Sequence, residues 1–154
     1  MRQFRRFSSA ILFSLALLVP GFKSFAAEAK ATGQIFKSAT CDCCSKWMAH
    51  MHQSGFTLEP KEMANKDLHR FKVHLGLKPG QSACHTALIE GYVIEGHVPA
   101  EDVKRLIEEK PDAVGLAVPG MPVGSPGMED GDRKEPYEVL LIKKDGSTEV
   151  FARH

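Results

Sequence analysis

Residues 34–53 read QIFKSATCDCCSKWMAHMHQ, and the fold is decided there. Gln34 to Lys37 is a short strand candidate, and Ser38, Ala39 and Thr40 lead directly into Cys41, Cys43 and Cys44. From Cys43 to Gln53 the residues favour a helix, with Trp47, Met48 and Met51 as apolar positions and Gly55 as a stop. Three thiols therefore sit where a strand turns into a helix. The first N–H groups of a helix have no partner within it and carry partial positive charge, so a thiol placed there ionises more readily. Thiolate is both a nucleophile and a metal ligand.

Downstream, Phe56 to Glu59 alternates like a second strand. Asn65 to Leu75 repeats apolar residues at Leu68, Phe71 and Leu75 before Gly76 and Pro79. Two apolar runs, His85–Ile89 and Tyr92–Ile94, flank the turn dipeptide Glu90-Gly91 and predict an antiparallel hairpin. Pro99 opens a helix with Glu101 and Asp102 in its first turn, Val103, Leu106 and Ile107 as its buried stripe, and Lys110-Pro111 as its end. The order strand-helix-strand-helix-strand-strand-helix is that of a thioredoxin-like α/β fold. In such a chain the residue before the third strand, usually a cis-proline, lies beside the helix-start cysteines. Here that neighbourhood is Cys84-His85-Thr86, which would bring a fourth thiol and an imidazole to the other three. Residues 111–136, rich in Gly and Pro, read as too broken for regular structure; their apolar centre predicts an ordered flap lying on the body. Tyr137–Ile142 and Thr148–Phe151 around Lys144-Asp145-Gly146-Ser147 predict a C-terminal β-hairpin.

The whole chain has 154 residues, 20 Lys+Arg against 19 Asp+Glu and a formal net charge of +1, a size that suits one domain and excludes a large multidomain enzyme. Arg2, Arg5, Arg6 and Lys23 precede the first acid, Glu28, so the rest of the chain is mildly acidic. Without a basic stripe, nucleic acid is not an expected partner. The basic start, the apolar run Ala10–Val19, Pro20-Gly21 and the small-residue site Ser24-Phe25-Ala26 read as a secretory signal peptide over 1–26, cleaved after Ala26. The apolar run is about half the ~20 residues that cross a bilayer, so no membrane association is expected after cleavage. Residues 27–154 remain as a single exported domain, long enough for a hydrophobic core without disulfide staples.

The 4 Cys therefore need another explanation. In an exported chain the plain reading is two structural disulfides. Pairing neighbours Cys43 and Cys44 is strained, since their alpha carbons sit ~3.8 Å apart where disulfides prefer ~4.4–6.8 Å. Cys41 with Cys43 is also tight. Cys41 with Cys44, a C-x-x-C pair, and Cys43 with Cys84 remain, so even the structural reading leads towards redox chemistry. Among metals, soft sulfur donors favour Cu(I), Zn or an iron–sulfur cluster. Cys84-His85 makes a poor second zinc pair, and ferredoxin spacings are absent. Cu(I) tolerates low coordination and bridging thiolates, and Met121 and Met128 in the flap add thioethers, so copper ranks first, ahead of a thiol–disulfide role.

The motifs CDCC at 41–44, CH at 84–85, GYVIEGHVPAEDVKRL at 91–106, GLAVPGMPVGSPGM at 115–128 and PYEVLLIKKDG at 136–146 resemble those of the CopG-type copper-resistance proteins, from about Gln34 to Phe151. The resemblance implies a periplasmic, thioredoxin-like protein that binds several copper ions in a cysteine-bridged cluster, works among other periplasmic copper-resistance proteins and interconverts Cu(I) and Cu(II). The residues carried over are Cys41, Cys43, Cys44 and Cys84, with His85 completing the second motif. Two alternatives stand beside this reading: a thiol–disulfide oxidoreductase using Cys41 and Cys44, and a copper metallochaperone without redox turnover.

Other candidates have plainer readings. His50 and His52 could form a secondary copper patch with Met48 and Met51, but core methionines beside solvated histidines are the simpler expectation. His69 and His74 lie off or beside their helix's apolar stripe. For His97, in GHVPAED, a turn or helix-start role competes with ligation. His154 is expected to fray, and Trp47 to pack in the core.

Overall fold

The computed structural model describes residues 31–154; the signal peptide expected over 1–26 lies outside them. Strand β1 (Thr32–Lys37) is followed by helix α1 (Asp42–Gln53), β2 (Thr57–Glu62), α2 (Asn65–His74), a 3-10 turn at Pro79–Gln81, β3 (Thr86–Ile89), β4 (Tyr92–Glu95), α3 (Ala100–Glu109), β5 (Ala113–Ala117), β6 (Glu138–Lys143) and β7 (Thr148–Arg153). The seven strands form one mixed sheet in the order β2-β1-β3-β4-β5-β6-β7. Strand β1 pairs parallel to β2 and antiparallel to β3, and β3 and β4 form the expected hairpin, with Thr86 opposite Glu95. Through α3 the element order is the one read from the sequence, and the mixed α/β class holds.

Two expectations need correction. Residues 111–136 are not wholly irregular: Ala113–Ala117 is a strand lying parallel to β4 and antiparallel to β6, so it joins the C-terminal hairpin to the rest of the sheet. At Gly115 a Cβ would stand 1.8 Å from the Val93 carbonyl oxygen, an approach that only glycine permits. The first strand, read from the sequence as Gln34 to Lys37, begins two residues earlier at Thr32, which pairs with Thr57.

Successive residues of a strand face opposite sides of a sheet, and two cores follow. One joins Ile35, Ile94, Leu116 and Leu141 to Trp47 and Met51 of α1 and Val103 and Leu106 of α3. The other joins their strand neighbours Val93, Ala117 and Ile142 to Leu77, just beyond α2. Trp47 is fully buried, and its indole N–H donates to the Val98 carbonyl at 2.8 Å, tying α1 to the segment before α3. Among the described residues no helix is long and apolar enough to cross a membrane. The sheet ends on β2, which carries Pro60, and on β7.

Candidate metal centre

Three segments meet at one place: the start of α1, the residues entering β3 and the turn leaving β4. Cys41 caps α1, its Sγ accepting the Cys44 N–H at 3.3 Å. That capping contact folds the C-x-x-C segment on itself, and Cys41 and Cys44 are joined as a disulfide with alpha carbons 5.4 Å apart. The second pairing considered from sequence does not form. Cys43 and Cys84 keep free thiols with their sulfurs 3.7 Å apart. Cys43 Sγ stands 3.5 Å from Cys41 Sγ, and Cys84 Sγ 3.7 Å from Cys44 Sγ. All four sulfurs lie within 4.8 Å of one another.

Nitrogen donors approach from the other side. Cys84 Sγ is 3.2 Å from His85 Nδ1 and 3.1 Å from His97 Nε2, and the three form a second group with metal-ligand spacing. His97 Nδ1 donates to the Pro126 carbonyl at 2.8 Å. Because a carbonyl only accepts, the proton sits on Nδ1 and the Nε2 lone pair faces the sulfur. Fixing one ring nitrogen on a backbone carbonyl is how proteins orient metal-ligating histidines. The flap, expected to lie on the body, touches the site through Pro126 and through Gly127, where a Cβ would stand 2.8 Å from Trp47 N and 2.9 Å from the Cys43 carbonyl oxygen.

Burial sets the electrostatics. It pushes the Cys84 thiol up to about 12, with the neighbouring Cys43 adding to the rise and the Lys72 charge opposing it. Burial also holds His85 well below the usual imidazole range, with His97 and Lys72 adding to the drop, and lowers His97. Both rings are therefore neutral, as ligation requires. His85 Nε2 is buried with no hydrogen-bond partner among the described residues. Convergent sulfurs and two neutral imidazoles fit a soft metal ion.

A closed network holds the Cys84 segment. Glu95, fully buried on β4, accepts from Ala83 N–H at 2.6 Å and Thr86 Oγ1 at 2.5 Å and pairs with Lys72 of α2. Lys72 Nζ also donates to the Ala83 carbonyl at 2.8 Å. Sequence reading missed both charged residues. It left His97 open between two roles, although the hairpin carried the signal: continuing the Thr86–Glu95 register outward by two residues puts His97 opposite Cys84.

Met121 is 51% exposed, and Met128 is half-buried in the flap beside Gly127. Met51 is buried and Met48 packs against the core. His50 and His52 are not simply solvated: each Nε2 accepts a backbone N–H, from Ala100 at 3.1 Å and from Leu58 at 3.4 Å. His69 and His74 are exposed. His154 does not fray; it stacks on Tyr137 and bonds Asp102 Oδ2 at 2.7 Å.

Fold and site together define a mixed α/β protein with a cysteine- and histidine-lined centre suited to a soft metal. A family model described as "Protein of unknown function, DUF411" matches residues 81–128, which carry Cys84, His85 and His97. Two solved structures, described as copper resistance protein CopG in forms 1 and 2, each share 40% identity with the chain at a TM-score of 0.76. They cover 82% of this chain, which in turn spans 99% of form 2 and 98% of form 1. No curated protein matches. The chain belongs to the CopG copper resistance protein family.

Proposed function

We propose that the chain, exported after loss of residues 1–26, is a periplasmic copper-resistance protein whose single domain, 27–154, binds several Cu(I) ions in a cysteine-bridged cluster and interconverts Cu(I) and Cu(II). Copper is its cargo and substrate. The observation that carries this reading is the convergence of four sulfurs within 4.8 Å. Cys41, Cys43, Cys44 and Cys84 bridge the ions, His85 and His97 supply nitrogen, and Met121 and Met128 are supplementary thioethers. Thiolate bridges let neighbouring Cu(I) ions share ligands, which suits sulfurs this crowded. Other periplasmic copper-resistance proteins are the partners it would exchange copper with.

Anaerobic titration of the reduced protein with Cu(I), read by metal analysis after desalting, should find more than one ion per chain, and binding of none overturns the reading. Cys43→Ser should lose most of the cluster. A thiol–disulfide oxidoreductase is the second reading, favoured by the Cys41–Cys44 disulfide. It differs in outcome, since its pair survives that substitution and would keep reducing a disulfide substrate.

A further inference from the structure

We propose that the Cys41/Cys44 pair is an internal two-electron donor that converts incoming Cu(II) to Cu(I), while Cys43, Cys84, His85 and His97 remain to hold the product. The proposal rests on the copper reading above and names the source of its electrons.

The four sulfurs are not equivalent. Cys41 and Cys44 are bonded to each other, whereas Cys43 and Cys84 are free although only 3.7 Å apart. The helix start explains the pairing, because the Cys44 N–H holds Cys41 Sγ over its own turn at 3.3 Å. Cys84 is committed elsewhere, between His85 Nδ1 at 3.2 Å and His97 Nε2 at 3.1 Å. Closing the 41–44 bond therefore removes two donors and leaves a sulfur–imidazole set standing, with Cys43 beside it. One end of the site is built to change oxidation state and the other to keep its ligands.

The step balances without an outside reductant. Two Cu(II) ions each take one electron; the Cys41 and Cys44 thiols each give one, their S–H bonds break, one S–S bond forms and two protons pass to water. Resetting the pair needs an external dithiol. Its thiolate attacks Cys41 Sγ, which is partly exposed where Cys44 is buried. The S–S bond then breaks with Cys44 as the leaving thiolate near the α1 N-terminus, and the dithiol's second sulfur releases Cys41 and leaves as a disulfide.

The test mixes the fully reduced protein anaerobically with excess copper(II) sulfate and a Cu(I)-specific chelator. Cu(I) is counted by absorbance, residual thiols are counted after denaturation, and the new disulfide is located by peptide mass mapping. A fast phase of about two Cu(I) per chain is expected, with loss of about two thiols and a bond joining Cys41 to Cys44, since each disulfide is a two-electron couple. Excess dithiothreitol, after subtraction of its own reaction with Cu(II), should turn that burst into continuous production. Cys44→Ser should abolish the fast phase. Mapping the wild-type protein keeps the test decisive even where that variant folds poorly. No fast phase, or a bond joining Cys43 to Cys84, overturns the proposal. A parallel Cu(I) titration separates the two readings. Cu(I) binding without Cu(II) reduction removes this proposal and leaves the Cu(I)-cluster part of the copper reading standing, whereas failure to bind Cu(I) removes both.

Discussion

Two buried polar clusters lie side by side on the β3–β4 hairpin, and they are finished differently. Around Glu95 each charge meets a partner: both carboxylate oxygens accept, Lys72 pairs with one of them and with the Ala83 carbonyl, and the Thr86 hydroxyl donates. Around Cys84, two residues before β3 and opposite His97, two residues after β4, the groups converge without closing. Sulfurs face sulfurs at 3.5 and 3.7 Å, and His85 Nε2 has no partner among the described residues. Leaving one buried polar group unpaired costs about 1–3 kcal/mol, so a fold that satisfies one cluster and not its neighbour holds the second open for a ligand. The closed cluster is scaffold: it fixes the backbone at Ala83 on which Cys84 and His85 stand.

That contrast can be broken from the scaffold side first. Glu95→Leu leaves the Lys72 charge buried and uncompensated and should cost about 3–5 kcal/mol in denaturant titration of the metal-free protein. The double variant Lys72→Met/Glu95→Leu should recover much of that loss, and simple additivity of the two single changes would show that the cluster is not acting as a unit. From the open side, His97→Ala should weaken Cu(I) affinity by about 10–100-fold in competition with a chelator while unfolding the metal-free protein less than Glu95→Leu does. If copper affinity stays unchanged, His97 belongs with the scaffold. The smallest effect is expected at His50, whose ring caps the Ala100 N–H. His50→Ala should cost about 1 kcal/mol of stability and leave the number of bound copper ions unchanged.

How far the sequence reaches differs between these regions for physical reasons. The cysteines and the β3–β4 hairpin were legible because each signal is local: a strand ending at Lys37, thiols at a helix start, and the turn Glu90-Gly91. Strand β5 was hidden because AVGLA is short, interrupted by Gly115 and set among Gly and Pro, and its pairing with β4 and β6 is what makes it a strand. Lys72 shows the limit of periodicity. It stands four residues after Leu68, on the same helical face, yet a lysine there reads as solvated until a partner on a distant strand is known. His154 was read as frayed because its partners Tyr137 and Asp102 are far away in sequence. His97 lay between these cases, since the hairpin register alone was enough to set it opposite Cys84.

The ends of the sheet bear on how the molecule behaves in company. Among the described residues strand β2 has one free side, and it carries Pro60, which has no N–H to offer, between the charged pair Glu59 and Lys61. At the far end, β7 presents Glu149 and Arg153. A second copy arriving in solution finds an incomplete row of donors at one margin and charges at both, so extending the sheet from molecule to molecule is a poor route to self-association.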